Sequence, residues 1–175
     1  MTEYDFKLNF KLPTDGPTAD ELVERLGAAG CEDALVGIGQ AGRIALDFSR
    51  EAESAQEAIV SALADVKKAI PGAKLIEVSP DFVGLTEVAE FVGVTRQNMR
   101  KLWLTHATTF PAPIHEGNSA LWHLAFVLQW LQERGTYNVE RALLDVARTA
   151  MQVNLAKEID HITPRVQQKL RALVA

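Results

Sequence analysis

The chain has 175 residues, 47% of them hydrophobic, and carries a formal net charge of −5 at pH 7. This length and composition allow one buried core or two small ones. No apolar run approaches the about 18 residues of a membrane-spanning helix, and residues 1–10 lack the basic and apolar regions of a secretory signal. Cys31 is the only cysteine, which excludes an intramolecular disulfide. We therefore expect a cytoplasmic protein with a buried structural thiol, a redox role for Cys31 being the alternative.

The negative charge is unevenly distributed along the chain. Residues 1–80 contain 14 acidic and 8 basic residues, a balance of −6, whereas residues 136–175 contain 4 acidic and 6 basic residues, a balance of +2. No acidic residue lies between Phe91 and His115. Because charges in salt act only over a screening length of about 8–10 Å, the acidic half does not prevent local contact with nucleic acid. It does predict modest non-specific affinity.

Residues 1–80 predict the order strand, helix, strand, strand, helix, strand. Alternating apolar residues between Tyr4 and Leu12 indicate a half-buried first strand. Capping boxes beginning at Thr18 and Ser54 open the two helices. A turn at residues 39–42 joins the two middle strands, spanning residues 34–39 and 43–48, and the last strand spans residues 74–78. This order is that of the ferredoxin-like βαββαβ arrangement.

The same 80 residues contain no set of side chains suited to catalysis. Their carboxylates are dispersed in helix caps and on polar faces, and Gly37, Gly39 and Gly42 fit a hairpin better than a phosphate-binding loop. An α+β arrangement of this kind hosts many functions and names none. We expect a non-enzymatic domain that contacts a protein or senses a ligand.

Residues 85–102, LTEVAEFVGVTRQNMRKL, predict two short helices joined by a tight turn. Apolar residues recur at helical spacing in the first helix, Gly93 suits the turn, and Thr95 can cap the second helix. Ala89 leaves room where the helices cross, and Met99 can pack back onto the first helix. The offsets are those of a helix-turn-helix, with an ordinary helical hairpin as the alternative.

Residues 79–81, Ser-Pro-Asp, form a plausible hinge before these helices, and a short hairpin is predicted after them. Pro111 and Pro113 exclude a helix, and a tight turn at residues 116–118, Glu-Gly-Asn, joins two extended arms, as in a wing. Helical spacing returns from Leu124 onward, and this helix ends at Gly135.

Residues 85–131 resemble the winged helix-turn-helix of the MerR and AlpA/excisionase type. Its pattern is L-x-x-[VA]-A-x-x-[LV]-G-V-[ST]-x-x-[TN]-[VIM]-x-[RK], then F-P-x-P, a glycine turn, a Trp and a helix ending in W-L. The chain has LTEVAEFVGVTRQNMRKL and then FPAPIHEGNSALWHLAFVLQWL. One departure is that Leu121 precedes Trp122 where the family usually has Arg, so a phosphate contact often made there is expected to be missing. The resemblance does not extend to residues 1–80.

The resemblance implies that the second helix and the wing contact double-stranded DNA. Arg suits bidentate pairing with guanine, and Gln or Asn suits adenine. For the two wing residues, contact with the minor groove or the backbone stands beside ordinary turn chemistry. The expected DNA-binding residues are Thr95, Arg96, Gln97, Asn98, Arg100, Lys101, His115 and Asn118.

Aromatic and histidine residues around the wing allow other interpretations. Trp122 and Trp130 are expected in the core rather than as stacking platforms for bases. His106, His115 and His123 raise the alternative of a metal site, but no acidic or thiol partner lies at ligand spacing. We therefore expect no metal and no other cofactor.

Residues 138–161 predict a long helix with an apolar stripe near 3.5-residue spacing, and Pro164 begins a short final helix. Because no further domain is evident in the sequence to cover this stripe, we expect it to form a homodimer interface. Folding back onto the same chain is the alternative. The stripe consists of Val139, Leu143, Val146, Ala150 and Val153.

The sequence as a whole predicts an α+β protein with three parts. Residues 1–80 form the ferredoxin-like domain, residues 81–135 the winged helix-turn-helix, and residues 136–175 the helical dimerisation tail. The expected function is site-specific binding of double-stranded DNA by a non-enzymatic transcriptional regulator of bacterial or phage type. The alternative is an antitoxin or adaptor whose N-terminal domain binds a protein partner, with DNA binding serving autoregulation.

Overall fold

The computed structural model describes residues 1–174, which form a mixed α+β structure with seven helices and a four-stranded antiparallel sheet. Within these residues, no helix has both the length and the apolar character needed to cross a membrane. The strands are β1 (Thr2–Lys11), β2 (Ala34–Gly37), β3 (Arg43–Ala52), β4 (Lys74–Ser79), β5 (Phe82–Val83) and β6 (Trp122–His123). The helices are α1 (Ala19–Ala29), α2 (Ala55–Ala69), α3 (Leu85–Phe91), α4 (Arg96–Thr105), α5 (Leu124–Arg134), α6 (Arg141–Ile159) and α7 (Pro164–Val174).

The main sheet has the strand order β2-β3-β1-β4, and each neighbouring pair is antiparallel. Strands β1 and β3 pair along their whole length, from Thr2 opposite Ala52 to Lys11 opposite Arg43. The alternating apolar residues of β1 are buried, which confirms the half-buried strand. Strand β3 runs four residues beyond the predicted end at Phe48, because it continues to pair with β1 although its next inward residue is charged.

Side-chain caps begin the first two helices. The Thr18 hydroxyl accepts a hydrogen bond from the Glu21 N–H at 3.4 Å, and the Glu21 carboxylate accepts one from the Thr18 N–H at 2.8 Å, which lowers the pKa of Glu21. At α2, the Ser54 hydroxyl caps the Glu57 N–H at 3.1 Å, but the Glu57 carboxylate accepts from the Glu53 N–H instead. The first predicted capping box is therefore complete and the second is half-formed.

A buried arginine, Arg50, ties β3 to the two helices beneath the sheet. Its Nε and one Nη bind both carboxylate oxygens of Asp33, at 2.6 and 3.0 Å. The remaining N–H groups donate to Asp65 at 2.9 Å, to the Ser61 hydroxyl at 3.0 Å and to the Gly30 carbonyl at 2.9 Å. All five guanidinium donors are thus satisfied, as a buried charge requires.

Cys31 lies next to this cluster and is the buried thiol that the sequence predicts, at 3% exposure. Burial, reinforced by the charge of Asp65, raises the pKa of Cys31 to about 11. Because the thiolate is the reactive form of cysteine, a thiol with this pKa is inert at neutral pH.

The structure contains two hydrophobic cores, and α6 contributes to both of them. One core lies between the main sheet and helices α1 and α2, and it includes Val146 and Ala150 of α6. The other is formed by α3, α4, α5 and the short β5–β6 pair, and it includes Leu144 and Ala147. Two neighbouring faces of one helix therefore join the two units.

This position of α6 corrects the expectation that its stripe faces a second copy of the chain. Of the stripe residues, Val146 and Ala150 are buried, and Leu143, Val153 and Val139 are partly buried against the two cores. The stripe is therefore covered by the same chain, the alternative that the sequence left open. The sequence did not reveal this cover because the covering surfaces belong to elements far away along the chain.

Candidate nucleic-acid interface

The turn between α3 and α4 is built by local backbone and side-chain hydrogen bonds. Gly93 has φ +70°, a conformation that favours glycine. The Val94 N–H donates to the Ala89 carbonyl at 2.9 Å, which closes the end of α3. The Thr95 hydroxyl accepts from the Asn98 N–H at 3.1 Å and so caps α4. The predicted glycine turn and threonine cap are both confirmed.

The inner face of α4 is fixed by apolar packing. Met99 is fully buried in the same core as Val88 and Ala89 of α3, as the sequence predicts. One turn further along, the Trp103 ring meets the Trp122 ring edge-on, with 5.2 Å between the ring centroids. These contacts on one side of the helix determine which residues point outward.

The outer face of α4 is polar and cationic. With about 100° of rotation per residue, Gln97 and Lys101 lie opposite Met99, whereas Arg96 and Arg100 occupy one flank. Within residues 1–174, none of these three cations forms an ion pair. All six predicted DNA-binding residues on or beside α4 are exposed, namely Thr95, Arg96, Gln97, Asn98, Arg100 and Lys101.

A very short hairpin lies where the sequence predicts a wing. Its arms are joined by a single bridge between His115 and Leu121, with Leu121 N–H donating to the His115 carbonyl at 3.0 Å. The pairing goes no further because Pro111 and Pro113 in the first arm have no N–H to donate. The second arm instead continues as β6, which pairs with β5.

The two predicted wing residues differ in their surroundings, although both are exposed. The ring of His115 lies over the turn, because a Cβ added at Gly117 would come within 2.9 Å of its Nε2. This position fits the role in the turn noted from the sequence, and contact of His115 with DNA stays a prediction. Asn118 lies at the exposed tip.

The tryptophans beside the wing are part of the core, as expected. Trp122 is 1% exposed, and its indole N–H donates to the Pro111 carbonyl at 2.9 Å. Trp130 is partly buried, and the guanidinium of Arg134 lies 4.7 Å from the centroid of its ring. Trp122 therefore fixes the base of the hairpin in the core next to α4.

A buried polar network, which the sequence did not predict, connects the unit that contains α3, α4 and α5 to the main sheet. The Asp81 carboxylate lies 2.7 Å from Nδ1 of His123 and accepts a hydrogen bond from the Asn154 side-chain amide at 2.8 Å. Asn154, in α6, also bonds both the N–H and the carbonyl of Val78, at 2.8 and 2.7 Å. The segment expected to be a hinge is therefore held by hydrogen bonds. The available signal was polar residues at otherwise apolar positions, Asn154 in α6 and His123 before α5.

The three histidines considered as metal ligands lie in separate surroundings. His123 contacts Asp81, whereas His106 lies 3.1 Å from a guanidinium nitrogen of Arg134, and His115 lies in the wing. Within residues 1–174, no group of three or more His, Cys, Asp or Glu residues is arranged to hold a metal ion.

Comparison of the chain with protein-family models, with curated proteins and with solved structures gave no significant match.

Proposed function

We propose that this protein binds specific sites on double-stranded DNA and acts as a transcriptional regulator, through a winged helix-turn-helix of the MerR/AlpA type. The observation that carries the proposal is the outer face of α4, where Arg96, Gln97, Arg100 and Lys101 are exposed and its cations are without ion pairs in the described chain. Met99 and Trp103 hold the opposite face, so this helix presents its polar side as a rigid surface.

In this proposal α4 lies in the major groove with its N-terminus towards the base edges. Arg96 and Arg100 pair with guanine, and Gln97 and Asn98 suit adenine. Lys101 contacts a phosphate and contributes affinity without sequence preference. Asn118, at the tip of the wing, reaches the adjacent backbone.

For the N-terminal unit we propose a ferredoxin-like arrangement. Its support is the order β1-α1-β2-β3-α2-β4 together with the spatial order β2-β3-β1-β4. With a balance of −6 in residues 1–80, this unit is repelled by phosphate and faces away from the DNA.

We further propose that two copies act together, because one recognition helix reads only a few base pairs. Helix α7 supports this arrangement, since its apolar residues Val166, Leu170, Leu173 and Val174 are exposed.

The proposal is tested by selecting bound sequences from a random pool of duplex DNA at low salt. Wild-type protein should enrich one motif. Arg96→Ala should cost about 1–3 kcal/mol of binding free energy on that motif and relax the preference at one position. Lys101→Ala should weaken binding to all sequences alike and reduce its salt dependence.

A matched control is Arg43→Ala, which removes an exposed cation from the N-terminal unit and should leave binding unchanged. If the wild type enriches no motif, the regulator proposal fails. The adaptor alternative, in which the N-terminal domain binds a protein, would then remain.

A further inference from the structure

A large groove lies between the main sheet and the winged unit. Its volume is about 870 Å³, and it is lined by β1, β2 and β3 on one side and by β5, α3 and the start of α6 on the other. Large apolar side chains are exposed in it, among them Leu35 at 78%, Phe91 at 42% and Phe82 at 37%. An apolar groove of this size can accommodate the apolar face of a helix.

The lining of the groove is strongly acidic, with seven carboxylates and one lysine. Two of these carboxylates are paired, Asp47 with Lys7 at 3.1 Å and Asp33 with Arg50 at 2.6 Å, so the other five keep the groove negative. Glu3, Glu32 and Glu140 are exposed and form no ion pair within the described chain. An occupant must therefore combine apolar and cationic side chains.

Helix α7 has both properties and no partner of its own in residues 1–174. Its apolar residues follow the spacing i, i+4, i+7, i+8 from Val166, and two of them, Leu173 and Val174, are each 78% exposed. Its charged residues are Arg165, Lys169 and Arg171, and it contains no acidic residue.

We propose that α7 of one copy docks into the groove of a second copy, its apolar face on Leu35, Phe82 and Phe91 and its three cations towards the carboxylates. Two copies would exchange their C-terminal helices reciprocally. The inference rests on the two-copy arrangement proposed above and gives it an interface, and it is independent of DNA.

Other occupants of the groove fit less well. Two α7 helices packed on each other would bring six cations together, because each helix carries three and no acid. Within one chain, α7 folded back from Ile159 would extend about 16 Å along α6, to about residue 148. The residues of α6 that line the groove are Ala142, Leu143 and Val146, near the end of α6 that is farther from α7, so α7 folded back in this way would not reach them.

The test uses two full-length variants with opposite charge reversals, studied without DNA by sedimentation equilibrium. One reverses the helix, with Arg165→Glu, Lys169→Glu and Arg171→Glu. The other reverses the groove, with Glu3→Lys, Glu32→Lys and Glu140→Lys. Each alone should weaken dimerisation about 100-fold, since like charges then face each other. An equimolar mixture should recover a dimer, because both exchanged contacts regain opposite charges.

A control for the groove reversal, with the same change in net charge, is Asp15→Lys, Glu24→Lys and Glu53→Lys. These three exposed carboxylates lie outside the groove, so this variant should dimerise like the wild type. Circular dichroism melting checks that every variant is folded. A monomeric wild type, or a mixture that stays monomeric, would overturn the inference. Dimers that survive groove reversal but not helix reversal would show that α7 binds another surface. None of these outcomes bears on the DNA-binding proposal, which the selection of bound DNA sequences tests separately.

Discussion

At the scale of single residues, the N-terminal unit depends on Arg50, whose five N–H groups each have an acceptor. A lysine in its place keeps the charge but has no planar fork, so it cannot hold Asp33 and Asp65 and reach the Gly30 carbonyl at once. We expect Arg50→Lys to lower the free energy of unfolding by about 2 kcal/mol, measured by urea titration.

Arg43→Lys provides the comparison, because Arg43 lies on the same strand and is exposed. Its effect should stay within about 0.5 kcal/mol. Equal effects of the two substitutions would mean that the cluster around Arg50 contributes no more than a surface charge.

A second residue, Glu77, makes stability depend on pH. Burial, with the nearby charge of Asp81, raises the pKa of Glu77, and Lys157 acts in the opposite direction. A raised pKa means that the folded chain disfavours the ionised form, so stability is lost as the pH rises from the unfolded-state value, near 4.5, through the folded value. Glu77→Gln should therefore raise Tm at pH 7, and the gain should shrink as the pH is lowered towards 4.

Thermal melts at both pH values test this, with Glu51→Gln as the comparison. Glu51 is an exposed carboxylate of the same sheet, and its replacement should leave the melting temperature unchanged. A pH-independent effect of Glu77→Gln would point to packing rather than to ionisation.

At the scale of elements, α6 is part of both cores, whereas α7 is part of neither. A chain ending at Gly135 loses Val146 and Ala150 from the sheet's core and all hydrogen bonds of Asn154. We expect this chain to melt at a much lower temperature and to aggregate. A chain ending at Thr163 keeps all these contacts. At a protein concentration low enough for the full chain to be monomeric, it should melt within about 2 °C of the full chain, as followed by circular dichroism.

The two truncations also distinguish folding from assembly. Only the chain ending at Thr163 can report on the role of the tail in dimerisation, because it stays folded. Cooperative melting of the shorter chain at the wild-type temperature would show that α6 is dispensable for the cores.

Local signals in the sequence predict most of the elements correctly. Thr18, Ser54 and Thr95 form caps with residues three positions away, and Gly93 adopts the positive φ that the turn requires. Such signals act within one turn of helix, so they are visible in a short window of sequence. They also predict the outward direction of the polar residues of α4, while contact of those residues with DNA remains a prediction.

At the scale of the whole molecule, the sequence was least informative where contacts are distant. Asp81 meets His123 and Asn154, which lie 42 and 73 positions away. A periodic stripe shows that α6 must be covered, but it does not show which elements cover it. Non-local partners of this kind leave no spacing rule in a single sequence.

The network around Asp81 has a consequence for the geometry of a two-copy complex. Apolar contacts tolerate sliding, whereas the bonds from Asn154 to Val78 and Asp81 are directional, so they fix α6 to the main sheet. Helix α4 packs in the core that α6 completes, so its orientation to the sheet follows from that of α6. Two copies joined through rigid units would hold their recognition helices at one separation and one helical phase. Each base pair inserted between half-sites rotates one of them by about 34° around the duplex axis. In a complex of rigid units, affinity for the two half-sites should therefore fall with the first inserted base pair.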